Sequence, residues 1–211
     1  MNGADHDAYG RVAKFYDRIL EPVNAPLRAI GLRLHPVDDS VTMLDVGCGT
    51  GAHLNAYIET GAVCHGIDAS PAMLEQARDR LGDRVELRLG DATALPYDFG
   101  SFDLVFTSFF LHELDPGTRT AALTEMARVV RPKGRILAID YRAGSLRMKG
   151  RATRALSTVA ERVAGRDHYH NWRTYLRAGG IPAMVPDVGL TVESEKIVSG
   201  GNLALWLLRT D

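Results

Sequence analysis

The feature that most constrains the fold of this 211-residue chain is an alternation between short apolar runs and helical segments. The apolar runs are rich in β-branched residues, whereas the segments between them repeat their apolar residues at helical spacing. Strands alternating with helices through short links predict a parallel sheet that helices cover on both faces. The predicted strands are Val41–Val46, Val63–Asp68, Val85–Gly90, Phe102–Phe106 and Arg135–Tyr141, with helices at 52–59, at 71–80 and from "DPGT" to about Val130.

The two ends of the chain depart from this central pattern. Residues 9–34 show helical spacing that prolines interrupt. Two further helices are predicted at 145–164 and 169–178, and the last strand-like runs form a predicted hairpin that turns at Ser199–Asn202. The chain is therefore predicted to be one domain over 1–211, with an N-terminal helical lid at 1–34, a helical cap at 142–185 and a C-terminal hairpin at 190–210.

The composition is that of an ordinary globular protein. Hydrophobic residues make up 45% and charged residues 24% of the chain, and the formal net charge of -1 gives no field that would attract nucleic acid. Cys48 and Cys64 lack metal-ligand spacing and are expected to be free thiols, which is typical of a reducing compartment. The sequence shows neither a secretory signal nor an apolar run of about 18 residues, so a cytoplasmic location is expected.

A glycine-rich loop, "LDVGCGTGAHL", follows the first predicted strand. Such a loop lets a ligand approach the backbone, although a tight turn without any ligand would show the same residues. Dinucleotide-binding folds favour G-x-G-x-x-G, whereas this loop reads G-x-G-x-G after the acidic Asp45. A carboxylate repels pyrophosphate but attracts an ammonium or sulfonium group. No Gly-Lys-Ser/Thr follows, so the loop is not a P-loop.

Two aspartates follow the next two predicted strands. Asp68 closes the second strand, where a carboxylate can accept hydrogen bonds from a ribose diol. Asp91 follows the third strand, where it could accept a hydrogen bond from an adenine amino group. Either aspartate alone could instead cap a loop or a helix. Together with the glycine loop, they predict a nucleoside site at the carboxyl edge of the sheet.

Five stretches, taken together, resemble the class I S-adenosylmethionine-dependent methyltransferases, and most of all the small-molecule branch that includes quinone-biosynthesis C-methyltransferases. They are "TMLDVGCGTGAHL", "GIDASPAML", "GDATALPY", "FDLVFTSFFLHEL" and "RVVRPKGRILAIDY". The resemblance implies a Rossmann-like three-layer sandwich with a seven-stranded, mostly parallel sheet in the order 3-2-1-4-5-7-6 and an antiparallel strand 7. It also implies S-adenosylmethionine as cofactor and S-adenosylhomocysteine as product.

The resemblance assigns roles to matching positions. Asp45 and the loop would line the methionine part of the cofactor, and Asp68 would hold the ribose. Ala69 and Met73 would border the adenine, and Asp91 with the Ala92 backbone would contact its edge. Ser108 and Phe109 would lie below the methionine moiety, and Tyr16 would be a tyrosine of the lid. The implied cofactor-binding residues are Tyr16, Asp45, Gly47, Cys48, Gly49, Gly51, Asp68, Ala69, Met73, Asp91, Ala92, Ser108 and Phe109. No cluster has convincing metal-ligand spacing, so no metal is expected.

His112, in "SFFLHEL", is the candidate catalytic residue. A neutral imidazole near pH 7 could take a proton from a methyl acceptor, but His112 could equally begin or pack the following helix. Methyl transfer needs alignment of the reactants and exclusion of water, and it needs a base only for an acceptor with a high pKa. Further candidates beyond the strands and in the cap are Glu113, Asp140, Tyr141, His168, Tyr169 and His170, of which His168 and His170 fit a solvated stretch better.

The sequence thus predicts methyl transfer to a small, apolar or aromatic molecule by a monomer or homodimer. A module that binds S-adenosylmethionine without transferring methyl and an NAD-dependent oxidoreductase are the alternatives. "TSFF" stands where amino methyltransferases of bases carry Asn-Pro-Pro-Tyr, which argues against nucleic acid. Aromatic residues that could line an acceptor pocket are Phe99, Phe109, Phe110 and Trp172, whereas Phe102 fits the core better.

The basic segment 145–166 has two interpretations. Its apolar residues fall near one helical stripe, and arginines and a lysine supply the charge. The segment could contact an anionic membrane surface or a lipid-like substrate without inserting stably. Because the stripe is modest and rich in alanine, the sequence favours a docked cap helix with a solvated basic face.

Overall fold

The computed structural model describes residues 24–210 and contains one seven-stranded sheet in the order β3-β2-β1-β4-β5-β7-β6. Strands β1 to β5 pair in parallel, and β7 runs antiparallel to both β5 and β6. This is the predicted order, with the predicted antiparallel strand 7. The strands are β1 (Thr42–Val46), β2 (Val63–Asp68), β3 (Glu86–Leu89), β4 (Phe102–Ser108), β5 (Val130–Tyr141), β6 (Leu190–Val198) and β7 (Leu203–Thr210).

A helix follows each of the parallel strands β1, β2 and β4, and three more helices lie between β5 and β6. Capping side chains fix where two of the helices begin. The Ser70 hydroxyl accepts the Met73 N–H at the start of α3, and the Asp115 carboxylate accepts two backbone N–H groups at the start of α4. The helices are α1 (described over 24–34), α2 (Leu54–Ile58), α3 (Pro71–Leu81), α4 (Pro116–Val129), α5 (Met148–Ala164), α6 (Arg166–Arg177) and α7 (Ile181–Met184).

The core lies on both faces of the central strands. Four of the five residues of β1 and six of the eight residues of β7 are buried, as expected for strands covered on both sides. Trp206 of β7 is fully buried, and its indole N–H donates to Glu195 across the hairpin at 3.0 Å. Cys48 and Cys64 are buried free thiols. No helix in the described part of the chain is long and apolar enough to cross a membrane.

Several predicted boundaries differ from the structure, including that of α5, which begins at Met148 rather than 145, and that of β4, which extends beyond Phe106 to Ser108. Helix α2 is shorter than 52–59, since the glycine loop continues to His53 before regular helix begins. Helix α6 begins at Arg166 rather than 169, because Gly165, with φ 137°, allows a second helix directly after α5. Strand β5 begins at Val130, which pairs with Phe102 before an irregularity in the ladder. The predicted helix before residue 24, with Tyr16, lies outside the described residues, and the lid remains a prediction.

Candidate functional site

The carboxyl ends of the parallel strands bring the predicted site residues to one edge of the sheet. Asp45 near the end of β1 pairs in register with Gly66 of β2 and Phe106 of β4. Asp68 ends β2, Ser108 ends β4, and β5 pairs with β4 as far as Ile139, just before Asp140. The polar groups at these ends therefore share one rim, as the sequence predicts.

The three loop glycines have different physical reasons to be glycine, although all have left-handed φ values of 71°, 52° and 71°. A Cβ on Gly47 would lie 2.6 Å from the Phe110 ring, and one on Gly51 would lie 2.5 Å from the Leu81 side chain. A Cβ on Gly49 would meet no atom within 4 Å. Close packing within the protein thus explains two of the glycines, and only Gly49 borders open space that a ligand can enter.

Asp68 holds the loop in place. Its Oδ2 accepts the Gly49 N–H at 2.8 Å, and its Oδ1 accepts the Ser70 N–H at 2.8 Å. The Gly47 and Cys48 N–H groups both donate to the Ile67 carbonyl, at 2.9 and 3.1 Å. Each carboxylate oxygen has about two acceptor positions. Asp68 therefore fixes the loop, and its carboxylate remains the predicted partner of the ribose diol.

Asp45 is a buried carboxyl group with an unsatisfied atom. Its side chain is 1% exposed, and its Oδ1 has no hydrogen-bond partner among the described residues. Burial, together with the nearby Asp68 carboxylate, raises the pKa of Asp45 well above its usual value. An unpaired buried polar atom is costly unless a ligand satisfies it. The ammonium of a methionine moiety would do so, and the donor set thus fits S-adenosylmethionine.

His53 directly follows the glycine loop, and the sequence analysis did not single it out. Both ring nitrogens are buried without a hydrogen-bond partner in the described part of the chain, and the ring packs 5.1 Å from that of Phe106. Burial, aided by the Arg28 charge, lowers the pKa of His53 to about 3, so the ring is neutral. The available signal was its position in "GAHL", immediately after the loop.

The adenine-side residues lie on the rim. Asp91 is exposed, and its Oδ1 accepts the Thr93 N–H and hydroxyl, both at 2.8 Å. Asp91 therefore caps its turn, which leaves its second oxygen available for an adenine amino group. Ala69 is exposed, whereas Met73 and Ala92 are half-buried. Their contact with the cofactor remains a prediction.

The end of β4 carries a strained residue. Phe109 has φ 51°, a left-handed conformation that is rare for aromatic residues. Its N–H donates to the Ile139 carbonyl at 2.8 Å, which holds the backbone in that state. Strained residues of this kind are most common at functional sites, where the surrounding structure holds them in place. Contact of Ser108 and Phe109 with the methionine moiety remains a prediction.

His112 lies in a buried network of charged groups and not at an open surface. Its side chain is 3% exposed, and its Nδ1 lies 2.7 Å from Asp140 Oδ1. Its Nε2 lies 3.5 Å from Glu161 Oε1, which also accepts the Tyr141 hydroxyl at 3.0 Å. Buried Arg119 fixes the turn that carries His112 by donating to the Leu111 carbonyl at 2.7 Å.

The network changes the expected charge of His112. Burial by itself would lower the pKa of His112, but the Asp140 and Glu161 carboxylates outweigh burial and raise it to about 10. The expectation of a neutral imidazole is therefore wrong, because two carboxylates flank the ring and hold it as an imidazolium at pH 7. Burial raises the pKa of Glu113 to about 8. The nearby His112 charge opposes this increase, whereas the Glu161 and Asp140 carboxylates add to it.

The remaining candidate residues are less buried than His112. His170 is exposed, and half-buried His168 has a pKa that burial lowers. Tyr169 stacks on Trp172 with ring centroids 5.9 Å apart. Phe99 is 71% exposed, so its prediction as a pocket residue is wrong. No group of acidic, histidine or cysteine side chains in the range 24–210 could hold a metal ion.

The strand order and the acidic strand ends around a glycine loop define the class I methyltransferase architecture. The family model described as "Methyltransferase domain" matches residues 44–138. A demethylmenaquinone methyltransferase of Renibacterium salmoninarum is 30% identical over 173 residues, which cover 77% of this chain and 72% of the relative. The chain belongs to this family of S-adenosylmethionine-dependent methyltransferases.

Other relatives act on different molecules. A malonyl-[acyl-carrier protein] O-methyltransferase of Serratia marcescens is 35% identical over 151 residues, covering 69% of this chain but only 55% of the relative. The solved structure of a mitomycin 7-O-methyltransferase shares the fold, with a TM-score of 0.71 and 20% identity over all of this chain and 62% of that one. The solved structure shows the shared fold, and the family match and the two relatives favour a methyltransferase over an oxidoreductase or a module that only binds the cofactor.

Proposed function

We propose that this protein transfers a methyl group from S-adenosylmethionine to a small, apolar or aromatic molecule that binds between the strand ends and α5–α6. The observation that carries the proposal is one rim that holds both a cofactor loop and a buried network of His112, Asp140 and Glu161. The loop provides for the methyl donor. The network, which lies beyond the ends of β4 and β5, forms the side of the site where the acceptor would bind.

The cofactor half of the site rests on three groups. Gly49 borders open space, the Asp68 carboxylate ends β2 beside the loop as the proposed ribose ligand, and Asp45 offers an unpaired oxygen to an ammonium group. When bound, S-adenosylmethionine supplies a methyl group on a positively charged sulfur. The acidic side chains of this rim favour that positive charge.

The acceptor half of the site is aromatic. The rings of Phe109 and Tyr141 lie 6.1 Å apart, those of Tyr141 and Trp172 lie 5.7 Å apart, and Tyr169 stacks on Trp172. This chain of rings runs from the end of β4 to α6. Aromatic walls favour flat, apolar molecules and exclude water from the reacting atoms. This cluster, in which the Tyr141 and Trp172 rings are buried, supports an aromatic acceptor over a charged one.

The network can receive the proton that an acceptor hydroxyl loses. His112 is already charged, so it cannot act as a base by itself at pH 7. Glu161, which lies near His112 Nε2 and accepts the Tyr141 hydroxyl, is the proposed proton acceptor. His112 then positions Glu161 and balances its charge. The pair therefore replaces His112 alone as the proposed catalytic unit.

Incubation with S-adenosylmethionine labelled in its methyl group tests the proposal. The acceptor panel would contain phenols, hydroxyquinones and carboxylic acids, and mass spectrometry would detect labelled products. The expected result is a labelled aromatic product that disappears in Asp68→Ala. A protein that binds the cofactor but labels no member of the panel would support a binding module instead.

We further propose that the protein acts in the cytoplasm as a monomer or homodimer. The buried free thiols Cys48 and Cys64 support a reducing compartment, since neither is paired. Burial raises the pKa of Cys64 to about 12, which keeps that thiol protonated and unreactive. Labelling of the native protein with a thiol reagent is expected to be slow at both cysteines.

A further inference from the structure

Helix α5 is amphipathic in the reverse of the usual sense. Its buried side carries Gly150 and the charged Glu161, and its half-buried Arg154 donates to the Arg142 carbonyl at 2.6 Å. The outward side is apolar: Met148 is 87% exposed, Leu156 72%, Val159 58% and Val163 82%. A helix that only covers a protein core buries its apolar stripe, so this stripe is unpartnered in the described structure.

The contrast with α6 shows that the reversal is a local property. Helix α6 buries Trp172 and Tyr175 and exposes arginines, as a docked amphipathic helix should. Among the described residues, four of the nine exposed large hydrophobic side chains lie on α5 alone. Exposed Ala152 and Ala155 extend the same stripe. An apolar stripe of this extent indicates a contact surface and not scattered exposure.

Cations border the stripe on both sides. At 100° per residue, Arg151 and Arg162 lie along one edge and Lys149 along the other, and all three are exposed. The only carboxylate in α5, Glu161, points inward to His112. The outward surface of α5 is therefore apolar and positive, although the whole chain has a net charge of -1.

We propose that the outward face of α5 docks on the surface of a lipid bilayer that contains anionic lipids. The apolar stripe would enter the boundary between headgroups and acyl chains, and the flanking cations would stay at the level of the headgroup phosphates. A second copy of the chain fits less well, because a symmetric contact would bring Arg151, Arg162 and Lys149 of both copies together. The docking needs neither cofactor nor acceptor, so it stands independently of the proposed function.

Flotation with vesicles tests this surface on the full chain. We expect binding to vesicles of mixed phosphatidylglycerol and phosphatidylcholine, little binding to phosphatidylcholine alone, and loss of binding in high salt. The variant Leu156→Ser/Val159→Ser should bind at least about tenfold more weakly, since buried aliphatic side chains supply much of the affinity. Replacing Arg151 and Arg162 by glutamine should cost about fivefold for each charge.

The variant Phe99→Ser is the matched control. Phe99 is 71% exposed, almost as much as Leu156, but lies between β3 and β4 and outside the stripe. Its vesicle binding should equal that of the unchanged protein. Equal binding by the stripe variant, or equal binding to neutral vesicles, would overturn the proposal.

Light scattering separates the other occupants of the stripe. If the unchanged protein is a dimer that does not bind vesicles, and the stripe variant is a monomer, the face contacts a second copy of the chain. If the unchanged protein is a monomer that does not bind anionic vesicles, the face contacts residues 1–23 or solvent. Either result overturns the membrane proposal.

Discussion

Asp140→Asn tests the buried network most severely. Three donors converge on the Asp140 carboxylate: His112 Nδ1 at 2.7 Å, the His112 N–H at 3.2 Å and the Tyr141 N–H at 2.7 Å. An asparagine at this position keeps one acceptor oxygen but turns an NH2 group toward a backbone N–H. The change also removes a negative charge beside a buried imidazolium.

The expected cost follows from breaking a buried ion pair on one side. Such changes destabilise proteins by about 3–5 kcal/mol, because an uncompensated charge remains buried. At about 2–4 °C for each kcal/mol in a protein of this size, the thermal midpoint should fall by roughly 10 °C. The loss should depend on pH. Because the pKa of His112 rises on folding from 6.5 to about 10, its contribution is complete below about pH 6.5 and disappears as the pH rises toward 10.

Urea unfolding of both proteins at pH 7 and near pH 10 measures this effect. The difference in unfolding free energy between the two proteins should be large at pH 7 and should shrink at the higher pH. Asp83→Asn, at an exposed position, is the control and should change stability by less than about 0.5 kcal/mol. A cost for Asp140→Asn below about 1 kcal/mol, or one that does not change with pH, would refute the ion pair.

Three further changes test the cap, the base and the loop. Gly150→Ala should destabilise the fold by about 1–3 kcal/mol, because its Cβ would lie 2.1 Å from the Gly200 carbonyl oxygen. The control Gly117→Ala in α4 should be neutral or stabilising, and denaturant unfolding measures both. Glu161→Gln should lower turnover of a hydroxyl acceptor by about 100-fold or more and leave cofactor affinity within about twofold. Steady-state kinetics measures the turnover and calorimetry the affinity; unchanged turnover would exclude Glu161 as the base. Gly49→Ala should weaken cofactor binding at a folding cost of only about 1–2 kcal/mol, so unchanged binding would remove the ligand from that side of the loop.

The sheet and its polar rim could be predicted because their signals are local. Each strand is a short apolar run, and each acidic residue stands where its run ends, as at Asp45 and Asp68. Caps such as Ser70 and Asp115 lie within three residues of the groups that they bind. The strand order itself came from the resemblance, since pairing between distant strands leaves no local mark.

The chemistry of the His112 network could not be predicted, because its partners are distant in sequence. Asp140 is 28 residues from His112, and Glu161 comes from a helix whose sequence is otherwise basic. Only packing of α5 against α6 and against the turn between β6 and β7 brings Glu161 to the ring. The outward stripe of α5 is hidden in the same way, because helical spacing defines a stripe but not the direction that it faces.

Calorimetric titration with S-adenosylhomocysteine tests the central claim most directly. The unchanged protein should bind with a Kd well below about 1 mM, and Asp68→Ala should bind at least about tenfold more weakly because hydrogen bonds to a charged group are lost. Asp83→Ala should bind as the unchanged protein does. Absence of binding by the unchanged protein, or equal affinity in Asp68→Ala, would contradict the assignment of this rim to the cofactor.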